Sequence, residues 1–458
     1  MFIRSRREFL RATVKSAATL GASSVLAKFG EMNALAASST GYQALVCIYL
    51  QGGNDGHNTI IPIATAQQNF SLYQQTRQGL ALPQSSLLDI LNGSDSYGLH
   101  PSIPELQGLY NQGKAAVLAN VGNLVKPIDR TAYQSNNLSL VPTALFSHTD
   151  QATQWQSAVP SSLATTGWGG RLADAVQAQN SSATFPSVAT MAGCGLFCTG
   201  KQTSPASVPA PNGTSGATGM AMLMGPSYYG SATANDMQQL LSFDNGLQLV
   251  QAGNGILTRG NNYATTLSGL LKTSNITTPF PSSNPLAAQL LTVANVMSVR
   301  SQLGLNRQIF YCQLGSFDTH GSQHATQQVL LTQLSQAIAA FYAATQELGL
   351  SQQVTTFTVS EFGRTLTPSG NDGSDHAWGN HHFILGGAVK GGKFYGSFPE
   401  LAVGSSIDAN NRGTFIPTTS ISQYGATLAE WFGVPSANIS SVFPNIGNFS
   451  SGNLGFLA

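Results

Sequence analysis

Five of the eight histidines in this 458-residue chain lie between His320 and His382, where an even spread would place about one. They stand among carboxylates. Asp318 and His320 occur in SFDTHG, Glu361 and Arg364 in SEFGRT, and Asp375 and His376 precede His381 and His382 in SDHAWGNHHF. Carboxylate oxygens and imidazole nitrogens are donors for divalent ions, so the stretch is expected to hold one or two of them, drawn from Zn, Mn, Mg or Ca. The alternative is a solvated polar loop, because one segment alone does not bring its donors together.

The elements that must position these residues are apolar runs. Asp55 follows ALVCIYL (residues 44–50) across the glycine turn QGGNDGHN, Asp318 and His320 follow QIFYCQL (308–314), and Glu361 follows the run 354–359. Continuous apolar runs of this length are patterned as strands buried on both faces of a parallel sheet. Such a sheet delivers the residues after its strands to one carboxyl edge, the usual ligand crevice of α/β folds. Asp55, Asp318, His320 and Glu361 are therefore expected at one edge, with His376 reaching the same pocket from its loop. His381 and His382 point to opposite faces of any strand they share, so at most one joins them. For Asp55 the plain alternative is a turn-capping aspartate.

Two further residues are candidates for the chemistry itself. Ser147, in FSHTD, precedes a helical pattern through Trp155, where an N-cap serine needs no catalytic role. The same position sets its hydroxyl at the positive end of a helix dipole, which favours an oxyanion, so Ser147 is the candidate nucleophile or anion-facing group. Arg364, close behind Glu361, is the candidate for stabilising transition-state oxygens, ahead of Lys390 and Lys393.

Between the second and third strand-like runs, residues 326–348 carry Val329, Leu330, Leu334, Ile338, Phe341 and Leu348 along one expected core-facing stripe. That strand, helix and strand are expected to pair in parallel. Further short elements are predicted as a helix over 103–110, a strand over 115–119 and a helix within 167–179. Residues 200–219 form a polar low-complexity loop, and 237–303 read mainly as helix. Cys47 and Cys312 lie in apolar runs as buried thiols, while Cys194 and Cys198 are spaced for a short disulfide.

The beginning of the chain, SRREFLR followed by a mildly apolar stretch and Ala34-Leu35-Ala36, has the order of a twin-arginine export signal with its cleavage site. Residues 1–36 are expected to be removed and residues 37–458 to act in the periplasm or outside the cell. Lys15 and Lys28 interrupt the apolar stretch, and no later run reaches the eighteen residues of a membrane anchor. Removing the six basic and two acidic residues of the leader leaves 14 and 17, a net charge of −3, which invites no nucleic acid. Charged residues are only 9% of the chain and Gly numbers 48, a composition suited to a loop-rich exported protein.

The stretches LQGGNDGHNTIIP, FSHTDQ, GWGGR, FDTHGSQ, SEFGRT, SDHAWGNHHF, GGAVKGGKFYG, PTTSISQYGATLAEWFGV and FPNIGNF occur in this order over nearly the whole chain beyond the leader. In them the sequence resembles the "domain of unknown function 1501" family, whose members look like distant relatives of alkaline phosphatases and sulfatases. The resemblance implies an α/β fold, an alkaline-phosphatase-like sandwich with a mostly parallel central sheet flanked by helices and a helical and loop insertion over roughly 180–305. It also implies a divalent metal held by Asp55, Asp318, His320, Glu361 and His376, with Ser147 toward the anion. Glu361-Phe362 stands where phosphatases of the wider superfamily carry an Asp-His pair, which puts a second ion in doubt. No cysteine stands in a Cys-x-Pro-x-Arg-like motif, so formylglycine chemistry is not expected. The expected activity is metal-dependent hydrolysis of phosphate, sulfate or related esters, with a small anionic ester or glycan as substrate. A non-catalytic metal- or anion-binding protein, or a cell-envelope scaffold on the same fold, is the alternative.

Overall fold

Every side chain from Ala44 to Leu50 of strand β1 (Gln43–Leu50) is buried in the computed structural model, as an apolar run without alternation requires. The structure describes residues 41–161, 163–193, 195–208, 210, 236, 239, 242 and 246–458. The expected export leader lies outside them, as does Cys194 with its expected pairing to Cys198.

Strand β1 sits between β8 (Arg307–Leu314) and β9 (Val354–Val359) and pairs in parallel with both, Leu50 opposite Leu314 and Tyr49 opposite Val359. The three strands therefore end level, and the loops after them leave from one edge. The expected parallel direction of β8 and β9 holds, but their direct pairing does not. Strands β8 and β9 do not touch each other, because β1 from far earlier in the chain fills the place between them.

The remaining strands of this nine-stranded sheet are β5 (Ala115–Gly122), β6 (Val188–Thr190), β7 (Ala206–Ser207), β10 (Asn380–Leu385), β11 (Phe394–Tyr395) and β12 (Thr419–Ser420). The order is β11-β5-β10-β9-β1-β8-β6-β7, with β12 also on β5. Among the described pairings of this sheet only those of β10 are antiparallel, so β10 enters the sheet at the edge where β1, β8, β9 and β5 leave it. A separate antiparallel sheet joins β2 (Ile60–Ala64), β4 (Asp95–Leu99) and β3 (Leu88–Asn92).

Helices flank the central sheet. Leu45, Cys47 and Tyr49 share a core with Trp155, Trp168, Leu172, Tyr424 and Phe443, while Val46 and Ile48, on the opposite face by strand alternation, are equally buried. The helix Gln323–Glu347 buries Leu330, Leu334, Ile338 and Phe341. Val329 is 55% exposed, because it lies one helical step off that stripe. Cys47 and Cys312 are buried thiols, pushed up by burial. Among the described residues no helix is long and apolar enough to cross a membrane.

Candidate metal centre

The loops after β1, β8 and β9 approach so closely that the first can carry no side chain at its tip. Gly52 and Gly53 have φ of 115° and 84°, and a Cβ on Gly52 would strike the backbone nitrogen of Asp318. The Gly52 N–H donates to Glu361 Oε1 at 2.8 Å. Behind them the fully buried Arg364 guanidinium donates to the carbonyls of Gly53 (3.0 Å), Gly52 (2.7 Å), Phe317 (3.1 Å) and Ser374 (2.8 Å), and to Asp318 Oδ1 at 2.5 Å. Residues 364 and 376 form an antiparallel bridge, which carries His376 back to the same edge. The segment after β5 arrives there with Ser147 capping the helix His148–Ser157.

Three imidazoles converge on one carboxylate. His148 Nε2 lies 3.3 Å from Asp318 Oδ2, and His320 Nε2 and His376 Nε2 lie 3.0 and 3.2 Å from Asp318 Oδ1. The ligand atoms of His148, Asp318 and His376 are all within 4.8 Å of one another, and His320 Nε2 is 3.0 Å from His376 Nε2. The other nitrogen of each ring is already engaged. His148 Nδ1 donates to Glu361 Oε1 (2.9 Å), His320 Nδ1 to Asp375 Oδ1 (3.2 Å) and His376 Nδ1 to the carbonyl of Phe146 (2.7 Å). In the neutral ring an acceptor on Nδ1 fixes the proton there and leaves a lone pair on Nε2, the arrangement of metal-ligating histidines and their outer partners.

Nitrogen lone pairs facing carboxylate lone pairs at about hydrogen-bond distance repel unless a proton or a metal cation lies between them. The donor set thus fits a divalent ion, and the buried His148 Nε2 has no hydrogen-bond partner in the structure. Phe362 walls the cluster, its ring 4.8 Å from His148 and stacked at 4.5 Å on His376. Without an ion, the cluster keeps Asp318 ionised and favours a proton on His148. Burial alone would raise the Asp318 carboxyl, but Arg364, His148 and His376 outweigh it and hold its pKa at about 2. The hydrogen bond to Glu361 raises His148 against the effect of burial, whereas burial lowers His376.

The expected site residues divide. Asp318, His320 and His376 come together, and Glu361 adjoins them as the acceptor that orients His148. Asp55 goes elsewhere: its fully buried carboxylate accepts from Arg77 in a short ion pair, from Gln323 Nε2 at 2.5 Å and from the backbone N–H groups of His57 and Asn58 as an N-cap. Its acceptor sites are taken, so the turn-capping alternative describes it. The Ser147 hydroxyl is its helix's N-cap and donates to Asp150 Oδ2 at 2.6 Å. Arg364 spends its donors on four carbonyls and Asp318, and Lys390 and Lys393 are exposed. His381 and His382 sit in β10, buried against Phe398 and Tyr424, and neither joins the cluster. Sequence reasoning passed over His148. The signal was in the quoted FSHTDQ motif, one residue past the serine.

The family described as "Protein of unknown function (DUF1501)" matches residues 42–419. The chain belongs to the DUF1501 family. No curated protein matches this DUF1501 chain. Among solved structures it is similar to the lipoteichoic acid synthase LtaP from Listeria monocytogenes, at 8% identity and TM-score 0.31 over 86% of this chain and 72% of that one. It is also similar to the C-terminal periplasmic domain of EcEptC from Escherichia coli in complex with Zn, at 9% identity and TM-score 0.37, covering 86% and 83%. A third likeness is to the PsFucS1 sulfatase from Pseudoalteromonas sp., at 9% identity and TM-score 0.31, covering 87% and 74%. At TM-scores below 0.5 these likenesses carry no residue roles over to this chain.

Proposed function

We propose that this DUF1501 protein is an exported, metal-dependent hydrolase of small anionic esters of the phosphate or sulfate class. One observation carries the reading: three histidines, each tethered through Nδ1, turn Nε2 onto the single carboxylate of Asp318. His148, Asp318, His320 and His376 are the residues that would hold the ion. Such a nitrogen-rich set suits Zn better than Mn, Mg or Ca, which prefer oxygen. When bound, a divalent ion supplies Lewis acidity to the ester and to the attacking group.

The chain's own side chains do the rest. Glu361 and Asp375 hold the imidazoles in one tautomer, and Arg364 fixes Asp318 against the loop after β1. Ser147 already donates to Asp150, so attack by solvent is the simpler assignment. Export through the leader in residues 1–36 completes the proposal. Replacing Arg6 and Arg7 together by Lys leaves precursor in the cytoplasm, and normal export of that variant refutes this part.

The test of the main reading is metal analysis of protein exported under its own leader, followed by a screen of phosphate and sulfate esters. About one equivalent of transition metal, with turnover lost on chelation, supports the hydrolase. Tight metal binding without turnover of any ester refutes it in favour of a binding protein.

A further inference from the structure

Directly behind the metal-facing histidines, the Asp55 network ends on residues adjoining the proposed ligands. Gln323 lies at the start of the helix Gln323–Glu347, and its side chain is completely buried. Its Nε2 donates to Asp55 Oδ2 at 2.5 Å. Its Oε1 accepts from Ser374 Oγ at 2.5 Å and from Thr319 Oγ1 at 3.2 Å. Thr319 stands between Asp318 and His320, and Ser374 is two residues before His376. The two loops also bond directly, Ser374 N–H to the carbonyl of Thr319 at 3.2 Å, and a Cβ on Gly373 would strike the backbone of His320.

The far end is equally constrained. The Asp55 carboxylate cannot turn away from Gln323 without breaking its pair with Arg77, which is itself fully buried. Arg77 donates to Asn58 Oδ1 at 3.0 Å and to the carbonyls of Thr365 and Leu366 at 2.9 and 3.1 Å, in the loop that follows Glu361 and Arg364. One amide side chain therefore couples the loop bearing Asp318 and His320 to the loop bearing His376, and anchors both to an ion pair removed from water. A planar amide with one donor end and one acceptor end, each engaged, has a single orientation that satisfies every partner.

We propose that Gln323, held by Asp55, is a positioning residue that sets the spacing of the two ligand loops and thereby the metal affinity of the site. This rests on the metal centre proposed above. Asp55 then matters to the metal without touching it. Outer partners of this kind typically change metal affinity by about 10–100-fold when removed.

The test is isothermal titration of the full exported protein, stripped of metal, with Zn²⁺ alone. Gln323→Met keeps the volume and removes both hydrogen-bonding ends. Ile338→Val, in the buried face of the same helix, serves as a variant that loses stability without approaching the site. Zinc Kd weakened about 10–100-fold in Gln323→Met, and unchanged in Ile338→Val at a comparable fall in Tm, is the expected result. A Gln323→Met Kd within twofold of wild type overturns the proposal while leaving the metal centre standing. Wild-type protein that binds no zinc overturns the metal centre and this inference with it. Should Gln323→Met fail to fold, Thr319→Val and Thr319→Ser decide. Weaker binding only where the hydroxyl is lost is expected, and equal Kd values for the two overturn the assignment.

Discussion

Asp55 and Asp318 lie five and four residues past the ends of neighbouring parallel strands, yet they reach opposite environments. The Asp55 side chain is 0% exposed and the Asp318 side chain 45%. Asp55 faces a guanidinium, an amide and two backbone N–H groups, donors that saturate a carboxylate. Asp318 faces one guanidinium and three imidazole nitrogens, a donor set that could hold a cation. Position at a sheet edge therefore brings an acidic residue near a site, and its partners decide whether it serves the site or supports it.

That contrast breaks most severely at Arg77. Arg77→Met leaves the Asp55 charge buried and unpaired, a loss of about 3–5 kcal/mol, read as a large fall in the urea midpoint. A stability near wild type refutes the supporting role of the pair. Asp318→Ala reverses the pattern. It is expected to lower metal affinity by more than the roughly 10–100-fold cost of losing an outer partner, with a smaller fall in the Tm of the metal-free protein than Arg77→Met gives, because the buried Arg364 loses its carboxylate but keeps four carbonyl acceptors. Retention of metal by that variant removes Asp318 from the centre.

The histidines sharpen the same comparison. His382, stacked on Tyr424 in β10, is lowered by burial to about 3, whereas the unfolded chain takes up its proton near pH 6.5. Between those values the unfolded state binds the extra proton, so stability falls as pH drops below about 6.5 and this contribution is gone near pH 3. His382→Phe keeps the ring stack and removes the proton. Its urea midpoint should fall less steeply from pH 7 to pH 4, and an unchanged slope shows that His382 does not titrate in this way. Ser147→Ala is the mildest change: about 1 kcal/mol from the lost N-cap, with metal affinity and turnover retained. Turnover reduced about 10³-fold with metal retained would instead make Ser147 the nucleophile.

Much of this was legible in the chain. The runs ALVCIYL, QIFYCQL and VTTFTV became the three central strands within a residue of their expected ends, because runs dominated by apolar, aromatic and β-branched residues suit strands buried on both faces. Asp318, His320 and His376 were recognisable as candidate donors because they are clustered in the sequence. His148 was not, since it lies about 170 residues earlier and is a lone histidine in a helical pattern. Only the passage of β5 beside β10 carries its segment to the edge where the other three stand.

Residue type and local pattern determined the strands, the main helices and a set of possible donors, because periodicity and turn chemistry act over a few residues. Which nitrogen of each histidine faces Asp318, that Glu361 bonds His148 Nδ1, and that Asp55 belongs to Arg77 were decided only in the tertiary structure. Each of those outcomes depends on a partner brought from elsewhere in the chain. Arg77 follows Asp55 by 22 positions, and Glu361 and His148 are 213 apart. A donor or acceptor is committed by the group that reaches it first at about 3 Å, a choice made by sheet order and loop packing.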